Sequence, residues 1–145
     1  MTQMSQDMVE IINLHKNFGT EIAVKDVNLS VGKGEFVTLL GPSGCGKTTT
    51  LRCIAGLEKL DAGEIRVGQQ IVVSADKQIF LHPEKREIGM VFQSYAVWPH
   101  MTVFDNVAYG LRVRGTKASD LKKKTTYALE LVGLDHLADR FATKL

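Results

Sequence analysis

Apolar residues in the first third of the chain fall into short runs and alternations of the kind strands require. Met8 to Leu14 is mostly apolar, and Ala23 to Val31 alternates, with some irregularity, through Val24, Val27, Leu29 and Val31. Glu35 to Leu40 (EFVTLL) is a nearly continuous apolar run, the pattern of a strand covered on both faces. Two strand-like runs, Glu64–Val67 and Gln70–Val73, flank Gly68, and Ile88–Phe92 reads as another buried strand. The polar, proline-containing stretch 74–87 between them reads as loop. The period then changes. Lys47 to about Leu57 predicts a helix with Leu51, Ile54 and Ala55 on one face, although Thr48, Thr49 and Thr50 at its start are poor helix formers. Such a break of local preference marks a functional position. Thr102-Val103-Phe104-Asp105 has the form of a capping box, followed by Val103, Val107 and Leu111 along one side. A further helix is predicted from about Ala118 to Val132, with Leu121, Thr125, Ala128, Leu129 and Val132 on one side and Gly133 as its stop. Another begins at Asp135.

Composition adds bounds rather than an identity. With 145 residues, 44% hydrophobic and 23% charged, the chain matches a globular domain and not a disordered one. A net charge of +2 and a pI near 8.5 are too mild for a nucleic-acid binder. No apolar run reaches the ~18 residues of a membrane span, and the first ten residues lack the apolar centre of a signal peptide. The reading is a soluble intracellular domain. Cys45 and Cys53 lie about 12 Å apart along a helix, beyond disulfide reach, so both are expected as thiols. His15, His82, His100 and His136 lack metal-ligand spacing, and Lys122, Lys123 and Lys124 point around a helix as a solvated face.

The chemistry concentrates at Gly41-Pro42-Ser43-Gly44-Cys45-Gly46-Lys47-Thr48, which fits G-x-x-x-x-G-K-[ST] between a predicted strand and a predicted helix. Glycines let a loop curl its N–H groups inward onto phosphate oxygens, and the helix that follows adds the positive end of its dipole. Lys47 reaches the β- and γ-phosphates and the Thr48 hydroxyl ligates Mg²⁺ in such a loop. Cys45 beside the helix start is in a setting that lowers a thiol pKa, with no catalytic task expected of it. A nucleotide site follows from this loop, but not the reaction.

Three stretches, in order, resemble the nucleotide-binding subunit of ABC transporters. Lys16-Asn17-Phe18-Gly19 resembles the family's aromatic loop, residues 41–50 (GPSGCGKTTT) resemble its Walker A, and residues 91–103 (VFQSYAVWPHMTV) resemble its Q-loop. The last stretch is similar to importers of the carbohydrate, polyamine and ferric-iron type. The resemblance, from about Val9 to Leu145, implies an α/β P-loop NTPase: a mixed sheet with a Walker A cradle and antiparallel strands over 1–101, and the start of a helical subdomain over 102–145. It implies ATP and Mg²⁺ as ligands. Phe18 would stack on adenine, Gly41, Pro42, Ser43, Gly44, Cys45, Gly46, Lys47, Thr48 and Thr49 would hold phosphate, and Gln93 would meet Mg²⁺ and the attacking water. Tyr95 and Trp98 would meet the permease subunits, with a second ATP-binding subunit and, indirectly, a substrate-binding protein completing the system. The location implied is the cytoplasmic face of the membrane.

Three parts of the family's machinery have no match. Neither Leu131–Asp135, which continues a helical period, nor Ile71–Asp76, which precedes Gln93 and has no following Glu, supplies the acidic strand with its general-base Glu. The switch histidine and signature motif are also unmatched, Leu145 resembling only the opening of the latter. The expectation is an incomplete ATP site that binds Mg·ATP weakly without turnover. Alternatives are a non-transport ABC ATPase, a soluble P-loop kinase or GTPase (no N/T-K-x-D motif occurs), and an inactive nucleotide-binding fragment.

Overall fold

Five strands and three helices account for most of the regular structure in the computed structural model, which describes residues 7–94 and 96–144. The strands are β1 (Asp7–Phe18), β2 (Glu21–Gly32), β3 (Ala62–Val67), β4 (Gln70–Ser74) and β5 (Ile79–Phe80). The helices are α1 (Lys47–Ala55), α2 (Val103–Val113) and α3 (Ala118–Leu131). Two compact units divide between Met90 and Val91, and each is described by itself.

In the first unit the strands form one sheet, in order β2-β1-β3-β4-β5, with every ladder antiparallel; it is not the mixed sheet expected, because residues 35–40 and 88–92 pair with none of these strands. Ile11, Leu14, Val24, Ile65, Val72 and Val73 build a core on the sheet, completed by Cys53 of α1 and by Leu60. The first hairpin is irregular in a way its sequence explains. Asn13 adopts a positive φ of 48°, a backbone state asparagine tolerates better than most residues, and its N–H donates to the Asn28 side chain at 2.8 Å. Near the hairpin turn Lys16 faces Val24 while Asn17 faces Ile22, so Ala23 is an extra residue in β2, a bulge.

Of the α1 face that the apolar spacing predicts, Ala55 is buried and Ile54 faces the core, but Leu51 is displaced from it. Thr50 and Cys53 are buried and Ile54 packs on the core, whereas Leu51 is half exposed. Thr50 can face inward because its hydroxyl donates back to the Gly46 carbonyl at 3.0 Å, leaving a methyl group for packing. At the other end Gly56 N–H donates to Cys53 and Leu57 N–H to Arg52, closing the helix.

Two expected strands are corrected. Residues 35–40 and 88–92 form no ladder among the described residues, and Phe36, Leu40 and Val91 are 92%, 97% and 97% exposed. A strand covered on both faces needs neighbours on its edges as well as over its faces, and neither segment has such neighbours among the described residues. The expected loop over 74–87, conversely, contains β5 and a 3₁₀ turn at Pro83–Lys85.

In the second unit the local signals hold. Thr102 caps α2, its hydroxyl accepting from Asp105 N–H at 3.0 Å, and Asp105 pairs with Arg112. Val103 and Ala108 are buried, while Val107, expected on the same face, is 43% exposed. The α3 helix buries Thr125 and Leu129 and stops at Gly133, whose N–H donates to Glu130 as Leu134 N–H donates to Leu129. A 3₁₀ turn at Asp135–Leu137 stands where a further helix was expected, and a second, Ala142–Lys144, ends the described chain. Val103 N–H donates to Arg140 and Phe104 N–H to Ala138, so the segment after α3 folds back onto the start of α2.

The cap carries a pH prediction. The hydrogen bond from Arg112, first, and those at Thr102 hold the Asp105 carboxyl below its ordinary value. A carboxyl depressed in the folded state contributes stability above its unfolded pKa, about 3.9, and loses it as pH falls through the folded value. Arg112→Ala is therefore expected to flatten the acid limb of the urea-midpoint profile below about pH 4. Thr102→Ala should cost roughly 1 kcal/mol at neutral pH. An unchanged acid limb in the Arg112 variant would contradict the assignment.

Candidate nucleotide site

The Gly-rich segment 41–46 leads directly into α1, and its first lysine is turned back over the loop. Lys47 Nζ donates to the carbonyls of Gly41 at 2.7 Å and Pro42 at 2.6 Å, with Cys45 Sγ at 3.4 Å. The ammonium is thus held at the opening of the loop by neutral acceptors, which an anionic oxygen can replace with gain. No side chain caps α1 and no acidic residue occupies its first turn, so its dipole faces the loop without a competing carboxylate. The Thr48 side chain is exposed beside Lys47. These donors fit a polyphosphate, and the Thr48 hydroxyl is the oxygen this loop offers a Mg²⁺ ion.

Gly46 is the tightest point. It adopts a φ of 90°, and a Cβ there would lie 2.4 Å from the carbonyl oxygen of Ala23, the bulged residue of β2. Only glycine permits both the backbone state and that approach. A cleft of about 370 Å³ is bounded by Ala23 and Val24, by residues 38–40, and by Cys45, Gly46 and Lys47. A larger cavity of about 630 Å³ lies between residues 59–61 and β4 and takes none of its walls from the loop.

Phe18 ends β1 and is 50% exposed, so it is not a core phenylalanine. Lys16, two residues earlier, is buried, paired with Glu58 at 3.1 Å and Asp61 at 3.8 Å. Arg86 is the other buried cation, 1% exposed. Its Nη1 donates to the carbonyls of Cys53 and Ile54 at 2.7 and 2.8 Å, its Nε to Leu81 at 2.7 Å, and its Cζ lies over the Phe80 ring, 5.2 Å from the centroid. Burial lowers the guanidinium pKa from its ordinary value, and the negative end of the α1 dipole is what it caps. Hydropathy patterns do not flag either residue. The available signal was a charge at an alternating core position of β1, after Leu14 and before Phe18.

Gln93 and Trp98 belong to the second unit, the loop and Phe18 to the first. Gln93 is exposed in an irregular segment rather than at a strand end. Trp98 stacks on Tyr109 of its own unit, with ring centroids 4.2 Å apart, and remains 39% exposed. Its backbone exchanges hydrogen bonds with the Asn106 side chain. Tyr95 and Leu145 lie outside the described residues. Both cysteines are free thiols: Cys45 is exposed, whereas burial pushes Cys53 up to about 11. Among the described residues no cluster of His, Cys, Asp or Glu is arranged to hold a metal, and no helix is long and apolar enough to cross a membrane.

A glycine loop running into a helix, with its lysine at the mouth, defines a P-loop nucleotide-binding protein. The chain belongs to the ABC transporter family, whose model matches residues 24–145. It is 48% identical over 132 residues to the trehalose/maltose import ATP-binding protein MalK of Thermococcus litoralis, covering 91% of this chain and 36% of that protein. It is 51% identical over 142 residues to the sulfate/thiosulfate import ATP-binding protein CysA of Pectobacterium atrosepticum, covering 94% and 41%. The chain therefore spans well under half the length of these relatives. In fold it matches the ATP-binding cassette MJ0796, a dimer in a post-hydrolysis state bound to ADP and Pi, with a TM-score of 0.79 and 31% identity over 95% of this chain and 63% of that one. The expected α/β P-loop NTPase fold and family are thereby borne out.

Proposed function

We propose that this chain is the ATP-binding part of an importer's ATPase subunit, with the nucleotide phosphates on residues 41–49 and adenine on Phe18. The observation that carries the reading is Lys47 held over the loop by the carbonyls of Gly41 and Pro42. In this reading Lys47 exchanges those acceptors for the β- and γ-phosphates. The Thr48 hydroxyl would hold Mg²⁺, whose charge would offset that of the phosphates, and the Gln93 amide is the further ligand that the resemblance implies. Hydrolysis, dimerisation with a second ATP-binding subunit and coupling to permease subunits near Trp98 belong to the whole protein, at the cytoplasmic face of the membrane, with a substrate-binding protein acting through the permease. One relative is named for sugars and another for sulfate, so the shared residues do not select the solute. Within these 145 residues we assign binding of Mg·ATP and no turnover.

Cys45 gives the test, because it lies inside the loop and Cys53 does not compete for reagent. A thiol reagent at pH 8 should label Cys45 quickly and Cys53 only after unfolding. Mg·ATP should slow the Cys45 reaction severalfold in the wild type and not in Lys47→Ala. Equal labelling with and without ATP would contradict the phosphate assignment. Steady phosphate release by the purified chain, lost in Lys47→Ala, would contradict the absence of turnover.

A further inference from the structure

We propose that Lys16 is the positioning residue of the base platform: its ammonium, fixed by Glu58 and Asp61, underlies the Phe18 ring and turns the opposite face outward for a purine. The inference rests on the reading of Phe18 as that platform.

Lys16 is 8% exposed, an expensive place for an ammonium. Its partners are Glu58 Oε1 at 3.1 Å and Asp61 Oδ1 at 3.8 Å. A buried ion pair of this kind contributes little net stability compared with apolar residues of the same volume, so its use lies in the geometry it specifies. That geometry is defined at several points. Asp61 accepts from Asn17 N–H through Oδ2 at 2.6 Å and donates its own N–H to the His15 carbonyl at 2.9 Å. The backbone on both sides of Lys16 is thereby pinned to one carboxylate residue.

Lys16 Nζ lies over the Phe18 ring, 5.1 Å from its centroid. The ammonium is buried and the ring half exposed, an arrangement in which the cation would take the inner side and leave the opposite π face to solvent. A cation on one face draws electron density from the ring and improves its other face for an electron-rich base. Glu58 follows α1 directly, its N–H donating to Arg52. The same cluster therefore connects the base platform to the far end of the helix that begins at Lys47.

The test compares ATP with inorganic tripolyphosphate, which has no base, by equilibrium dialysis against the 145-residue chain with Mg²⁺ present. Lys16→Met should weaken ATP roughly three- to tenfold and leave tripolyphosphate unchanged. Phe18→Ala should weaken ATP at least as much, the double variant no more than Phe18→Ala alone, and Lys16→Arg should restore most of the affinity. If Lys16→Met does not fold, the same comparison is made with Lys16→Met and Glu58→Gln together, which removes one stranded carboxylate. Equal loss of both ligands would show Lys16 to be a scaffold residue only. A double variant weaker than Phe18→Ala by the full Lys16 factor would show that Lys16 acts elsewhere. Both results overturn the positioning role and leave the platform standing. An unchanged ATP affinity in Phe18→Ala, or a wild type that binds ATP no better than tripolyphosphate, overturns the platform itself and the positioning role with it.

Discussion

Replacing Arg86 with alanine is expected to lower the stability of the first unit by about 3 kcal/mol or more, a large share of the roughly 5–15 kcal/mol that holds a domain folded. Three carbonyls, those of Leu81, Cys53 and Ile54, would lose their charged donor inside the protein. Each such hydrogen bond is worth roughly 1.5–3 kcal/mol, and a buried acceptor left without a partner costs its full desolvation. The side chain also fills the space against Gly56, where even a single added Cβ would come within 2.5 Å of Arg86 Nε. Urea unfolding of Arg86→Ala, Arg86→Met and Arg86→Lys separates the contributions. Methionine restores volume without the donors, and lysine restores the charge but not the fork that reaches both Leu81 and the helix end. The expected order of midpoints is wild type, then lysine, then methionine, then alanine. A loss under 1 kcal/mol for alanine would mean that the three carbonyls find other partners.

The second large effect belongs to Gly46. Gly46→Ala places a methyl group 2.4 Å from the Ala23 oxygen in a backbone state that already disfavours an L-residue. The left-handed state alone costs roughly 1–2 kcal/mol. Relieving the overlap requires β2 or the loop to move, so the total should exceed about 3 kcal/mol, and ATP protection of Cys45 should disappear. Gly44 is the control. It has a similar φ of 82° but nothing within 4 Å of its added Cβ, so Gly44→Ala should cost only the backbone term. Equal stability losses at the two positions would contradict the close approach of β2 to the loop.

What the sequence made readable was what neighbouring residues decide among themselves. The Thr102 cap, the Gly133 stop, the hairpin-forming alternation about Gly68 and the loop at 41–48 each need only a few adjacent positions. The failures are of a different kind. The run EFVTLL states what would be favourable to bury but not whether neighbours stand beside it, and Phe36 and Leu40 are exposed. In α1, nine residues are too few to fix the phase of an amphipathic pattern, and a back-bonded threonine and a cysteine took the core face from Leu51. Lys16 and Arg86 escaped because their partners lie 42 and 33 positions away and a charge gives no hydropathic signal of burial.

The bulge at Ala23 gives the hairpin the properties of a gauge. Phe18 ends β1, and Ala23, a few residues past the turn, touches the loop at Gly46. Five steps of extended chain reach at most about 18 Å and much less when folded back through a tight turn. The distance from the proposed base platform to the loop is thus bounded by covalent geometry over Phe18–Ala23, whatever the packing of the remaining sheet. A residue inserted between Gly19 and Thr20 is expected to loosen that bound and lengthen the reach from Phe18 to the loop, while leaving both ends chemically intact.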